Sequence, residues 1–189
     1  MKKSEKPKKP EQTRKSKPGF YRHFPPISHK TVSFAASASD KKVQDALVKT
    51  LKKTNDKTFS LDALTDPSIE NCSVVFECGV AEGNDFSFLN DEESERVQKA
   101  IRTEALQVLD IVCAVRYYRA SKEKKVPLKF DYYMVRFRFD EYRIIQVFHE
   151  RGPGYLSPKD IINFLVAELN ASSQKPILRI SAFQTSQSA

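Results

Sequence analysis

The chain has no tryptophan, two methionines, three cysteines, three histidines and five glycines in 189 residues, and these scarcities exclude several classes of protein. Cys72, Cys78 and Cys113 are too few and too scattered for a disulfide framework, and an odd count would leave one thiol unpaired in a secreted chain. A reducing, cytoplasmic setting is therefore expected, or a nuclear or nucleoid one where the source has such a compartment. No C-x-x-C pair accompanies His149, the one histidine beyond residue 30, so neither a metal nor any other cofactor is expected. The body's glycines, Gly79, Gly83, Gly152 and Gly154, match no phosphate-loop or dinucleotide fingerprint. The longest uninterrupted apolar run is Ile111 to Val115, far short of a membrane span, and no apolar stretch follows the N-terminal lysines as a secretory signal would require. Pro7, Pro10, Pro18, Pro25 and Pro26 would break the amphipathic helix of a mitochondrial presequence.

What is present is charge, unevenly spread. The 32 Lys/Arg and 24 Asp/Glu give a formal net charge of +8. Residues 1–30 hold ten Lys/Arg against Glu5 and Glu11, so the remaining 22 basic and 22 acidic residues cancel and the excess belongs to the N-terminal stretch. Residues 1–19 contain Met1 as their one apolar side chain and no aromatic, too little to offset the entropy of ordering, so a disordered basic tail is expected over 1–30. Within it, Phe20, Tyr21, Phe24 and Ile27 make an aromatic island at 20–27. Docking on the body is the simpler reading of that island, because exposed apolar clusters are uncommon on monomers.

A single α+β domain is expected over 31–183, with a frayed C-terminus at 184–189. Val32 and Phe34 mark a short strand. Val43, Leu47 and Leu51 recur at helical spacing behind Ser39-Asp40, and Cys72 to Ala81 alternates as a strand. Asn90 with Glu93 reads as a capping box, and Val97, Ile101, Ala105, Val108, Val112 and Val115 then repeat every three or four residues. Arg116, Arg119, Lys122, Lys124 and Lys125 suit the negative end of a helix dipole, so one helix over 91–125, about 45 Å long, is expected to end before Pro127. Tyr132–Phe139 and Tyr142–Phe148 alternate about Asp140-Glu141 as a hairpin. A two-residue turn there would put Arg136, Arg138, Arg143 and His149 on one face, and a slip of one residue would move them relative to each other. Ser157-Pro158 opens a last helix, Ile177–Phe183 is a last strand, and Tyr142–Phe183 could form a parallel crossover. The sum is a mixed or antiparallel sheet of about five strands with one long central helix and two shorter ones.

Enzymatic chemistry is not favoured. Cys113 and Cys78 fall among apolar residues, where thiols are inert. The carboxylates Glu82, Asp85, Asp91, Glu92 and Glu93 lack an EF-hand spacing, and those near Asn90 already serve a helix start. Two features remain. Arg136, Arg138 and Arg143 with Tyr132 and His149 would interleave cations and rings, a combination that pairs with phosphates and stacks bases; its bland counterpart is a solvated face balanced by Asp131, Glu141 and Glu150. Arg151, Gly152, Gly154, Ser157 and Lys159 could hold an anion at a helix start, although an ordinary turn explains the same residues.

The function expected is that of a nucleic-acid-associated accessory protein, of RNA or a ribonucleoprotein rather than a reader of DNA sequence. Its phosphate contacts would be Lys2, Lys3, Lys6, Lys8, Lys9, Arg14, Lys15 and Lys17 in the tail and Arg136, Arg138 and Arg143 with Tyr132 on the hairpin. The alternative is a protein-interaction or assembly subunit that uses Phe20, Tyr21, Phe24 and the 91–125 helix and meets no nucleic acid.

Overall fold

The structure, a computed structural model, describes residues 17–66, 69–121 and 124–181. In chain order the elements are β1 (Lys30–Ala36), α1 (Asp40–Asn55), β2 (Thr58–Ser60), a 3-10 turn (Leu61–Ala63), β3 (Cys72–Glu82), β4 (Asp85–Phe88) and α2 (Asp91–Thr103). There follow β5 (Val108–Ala120), β6 (Lys125–Arg138), β7 (Ile144–Arg151), α3 (Pro158–Ala171) and β8 (Leu178–Ile180). The strands make one sheet in the order β2-β3-β5-β6-β7-β1-β8, and β4 pairs with the same side of β3 farther along it. Every named pair is antiparallel. β7 and β8 thus run parallel to each other with β1 between them, and α3 makes the crossing.

The protein is α+β, but the expectation of about five strands around one long central helix is overturned: eight antiparallel strands curl into a half-barrel carrying three short helices. Residues 91–125 divide into α2, the strand β5 and the start of β6. The helical spacing misled because β5 lies between β3 and β6 and is covered on both faces. Leu109, Ile111, Cys113, Val115 and Tyr117 face the core, while Asp110 and Val112 on the other face are also buried. A segment apolar on two faces satisfies a period of 3.6 as well as one of 2.

No breaker residue ends α2. Two side chains of α1 end it instead: Lys41 Nζ donates to the carbonyls of Arg102 (3.0 Å) and Thr103 (3.3 Å), and the buried Gln44 amide both donates to Leu106 O (2.7 Å) and accepts from Leu106 N (2.9 Å). These bonds satisfy backbone groups that a continuing helix would have paired internally. Pro127 stands within β6, opposite Tyr118, where the β5–β6 register shifts and a missing N–H is tolerated.

The helices pack on the inner face of the curl. Val43, Leu47, Val48 and Leu51 of α1, Val97 and Ile101 of α2 and Ile161, Ile162, Leu165 and Leu169 of α3 meet Val74, Phe76, Val80, Ile111, Val115, Val135 and Val147 of the sheet. Each such side chain contributes ~1.5–3 kcal/mol on burial. Phe76 stacks on Phe164 at 4.2 Å, with Phe59 edge-on to both.

The β6–β7 register is one residue away from the two-residue-turn expectation. Phe137 faces Ile145 and Arg136 faces Gln146, because the loop spans residues 139–143. Arg143 lies in that loop at φ 38° and pairs with Asp40 (2.9 Å). The slip puts His149 on the inner face, opposite Tyr133, and leaves Arg136 and Arg138 on the outer one.

Candidate nucleic-acid interface

The outer face of the sheet has two unlike ends. At the end near Val108 the N-terminal segment crosses it. Gly19 N donates to Ala81 O (2.7 Å) and Asp110 N to Gly19 O (2.7 Å), and Tyr21 forms a bridge to Gly83 and lays its ring 4.6 Å from that of Phe86. Beneath this segment Asp110, fully buried, accepts Arg136 Nε (2.7 Å) and Nη2 (2.8 Å) and the backbone N–H of Tyr21 (2.7 Å). Burial pushes the Asp110 carboxyl up from its ordinary value, against the opposing pull of the Arg136 guanidinium and the Tyr21 N–H. The guanidinium carbon lies 4.2 Å from the ring centroid of Phe24 and 5.4 Å from that of Phe20. Tyr21 and Phe24 of the aromatic island therefore dock on the body and engage Arg136, while Phe20 stays 50% and Ile27 74% exposed.

The other hairpin arginines are also engaged. Arg138 pairs with Asp140 and its guanidinium lies 5.8 Å from the Tyr142 ring, and Arg143 pairs with Asp40 as above. Lys17 pairs with Glu104 (3.2 Å) on the exposed end of α2. Lys2, Lys3, Lys6, Lys8, Lys9, Arg14 and Lys15 lie outside the described residues.

At the start of α3, Asp131 supplies the anion. Its fully buried carboxyl group accepts Gly154 N (2.7 Å), Tyr155 N (3.1 Å) and Tyr117 Oη (2.6 Å) and shares a hydrogen bond with His149 Nε2 (2.9 Å). Burial and the hydrogen bond to Asp131 hold the Tyr117 hydroxyl far above its ordinary pKa. Leu156 N donates to Tyr117 Oη (3.3 Å) and Ser157 N to Asp160 (2.7 Å), and Ser157 with Asp160 closes a capping box. The four N–H groups of 154–157 are thus all in use. Gly152, at φ 114°, lies so close to β6 that a Cβ would collide with Asp131 Oδ1 and Phe130 O. The network pins the β7–α3 loop and leaves the carboxylate no open position for a substrate.

The far end of the outer face is different. β7 pairs with β6 only as far as Arg151 opposite Tyr132, while β5 and β6 continue together to Ala120 opposite Lys125. Ser121 and Lys124 exchange both backbone hydrogen bonds (3.0 and 3.2 Å) and close the hairpin. At this end of the β5–β6 hairpin Arg119, Lys124, Lys125, Lys129 and Arg151 are exposed and form no ion pair among the described residues, Arg119 on the same face of β5 as Tyr117 and Arg151 on the outer face opposite Tyr132, whereas Arg116 is held by Glu77 (2.9 Å). Rings lie among these cations: Phe130, 43% exposed, and the half-buried Tyr118 and Tyr132. The Arg151 guanidinium carbon is 5.5 Å from the Phe130 centroid and 5.4 Å from that of Tyr132, within cation–π range.

Tyr132 and Arg151 were singled out by sequence for different reasons, and the fold makes them neighbours. In the sequence Arg119, Lys124 and Lys125 read as cations at the end of a helix, and Lys129 and Phe130 carry no signal of their own. The available signal was the alternation of Leu109, Ile111, Cys113, Val115 and Tyr117, which continues as a strand to Ala120.

The described residues hold no group of three or more His, Cys, Asp or Glu able to bind a metal, and no helix among them is long and apolar enough to cross a membrane. The chain matches no protein-family model, no curated protein and no solved structure.

Proposed function

We propose that the protein is a nucleic-acid-associated accessory, of RNA or a ribonucleoprotein, that binds phosphates electrostatically through its basic N-terminal stretch and the far end of the β5–β6 hairpin. The observation that carries this reading is the contrast between two groups of cations at opposite ends of the sheet. Arg136, Arg138 and Arg143 each have a carboxylate partner, whereas Arg119, Lys124, Lys125, Lys129 and Arg151 have none among the described residues, and Arg151 lies beside the rings of Phe130 and Tyr132. Unpaired cations release condensed counterions when they meet phosphate, so affinity falls steeply with salt, and exposed rings add a salt-insensitive share. The hairpin arginines first expected to make these contacts give way to the cations near the hairpin tip.

The assembly alternative loses its long helix, because residues 91–125 are not one helix, and of its aromatic contacts Tyr21 and Phe24 pack on the chain's own sheet while Phe20 stays half exposed. The discriminating experiment titrates fluorescent mixed-sequence RNA and duplex DNA with the full chain, then with a full-length variant whose Lys2, Lys3, Lys6, Lys8, Lys9, Lys15 and Lys17 are glutamine. Binding at low salt that weakens strongly in the variant supports the proposal. Absence of binding to either nucleic acid at low salt refutes it.

A further inference from the structure

Where β7 turns away from β6, a hollow of about 440 Å³ opens between Leu128, Lys129 and Phe130 on one side and Arg151, Gly152 and Pro153 on the other. Its size falls within the ~300–1,000 Å³ of small-ligand sites. Gly152 packs against Phe130 O and Asp131 at one end of the hollow, and beyond that contact β7 no longer pairs with β6, so among the described residues the strand edge from Lys125 to Lys129 pairs with β5 alone.

Resting on the function proposed above, we infer that this hollow receives an unstacked base, so that the ligand at this surface is a single strand and not a duplex. A phosphate alone does not suit the place, because Leu128, Phe130 and Pro153 present apolar surface that would desolvate it without hydrogen bonds. A base has both properties the lining asks for. Its π-face stacks on a ring or a guanidinium plane, and Phe130 and Arg151 offer one of each about 5.5 Å apart. Its polar edge can reach the unpaired backbone groups of the β6 edge. The exposed Lys129 and Arg151 then meet the flanking phosphates. A duplex keeps its bases stacked inside and could use the two cations but neither the ring nor the hollow.

The test measures binding by the full chain of a mixed-sequence RNA strand, alone and annealed to its complement, at low and physiological salt, alongside Phe130→Ala and Phe130→Tyr. Phe130 is 43% exposed, and circular dichroism checks that the variants stay folded. The expected result is tighter binding of the single strand, a loss of roughly ten- to a hundredfold for Phe130→Ala on the single strand alone, and retention of binding by Phe130→Tyr. The salt dependence should be the same for all three proteins. Equal affinity for both forms, or no effect of Phe130→Ala, overturns the single-strand assignment while leaving the electrostatic proposal standing. Failure to bind either form at low salt removes that proposal, and this inference with it.

Discussion

The guanidinium of Arg136 holds the buried carboxylate of Asp110 through two hydrogen bonds, Nε to Oδ1 at 2.7 Å and Nη2 to Oδ2 at 2.8 Å. The same guanidinium donates to Tyr21 O (3.3 Å) and lies over Phe24, so one side chain ties the N-terminal segment to the sheet. Removing it alone strands a buried charge. Arg136→Met should therefore cost about 3–5 kcal/mol in urea unfolding, and adding Asp110→Asn should recover much of that loss, because replacing both partners of a buried pair is far cheaper than removing one. Equal losses in the single and double variants would show the pair to be irrelevant to stability.

Asp110 also sets a pH dependence of unusual sign. Burial raises its folded-state pKa above the ordinary 3.8, so between 3.8 and the folded value the native protein binds more protons at this site than the unfolded chain does. Stability from this site then falls as pH rises through that window and is regained as pH drops. The melting temperature of the protein minus that of Asp110→Asn should thus move in favour of the protein as pH is lowered from neutrality toward 4. A movement in the opposite direction would mean that the Arg136 and Tyr21 bonds outweigh burial.

Asp131 is the structural counterpart on the inner face. Asp131→Ala would leave Gly154 N, Tyr155 N and the Tyr117 hydroxyl without an acceptor, at ~1–3 kcal/mol for each buried group. Loss of cooperative unfolding, or a steep fall in its midpoint, is expected. Gly152→Ala should also destabilise, through its positive φ and the collision with Phe130 O and Asp131. Wild-type stability in both variants would contradict the assigned role.

Cys78 and Cys113 face each other across β3 and β5 with their sulfurs 3.6 Å apart, both fully buried. The hydrogen bond shared with Cys113, which holds the thiol proton, and burial keep the Cys78 thiol well above its ordinary pKa, so little thiolate forms. Ellman's reagent should react with these two thiols only after denaturation. Rapid modification of the native protein would show that this part of the core opens readily.

Local signals were legible in the sequence where a segment carries its own instructions. Ser157 and Pro158 mark the start of α3, where Ser157 forms a capping box with Asp160, and Asn90 caps α2 by accepting Glu93 N (2.8 Å). The end of α2 was not legible, because Lys41 and Gln44 of α1, some sixty residues away in sequence, stop it. The β6–β7 register escaped for a similar reason: the loop is held by Arg143 pairing with Asp40 on α1, and one residue of slip separated His149 from the arginines. The candidate interface was half visible. Tyr132 and Arg151 stood out as residue types, but their proximity depends on where β7 stops pairing with β6. The cations at 119–125 stand at the end of a strand whose spacing fits a helix equally well, so their position is not readable from the segment itself.

The central claim is that the cations at the far end of the β5–β6 hairpin meet phosphates, and the slope of log K against log salt for a single-stranded RNA tests it most directly. Each phosphate contact contributes a slope of about −0.7 on single strands. Replacing Lys124, Lys125, Lys129 and Arg151 by glutamine should therefore make the slope of the full chain shallower by up to about three units. An unchanged slope, with the folded variant binding as tightly as the original, would contradict the account.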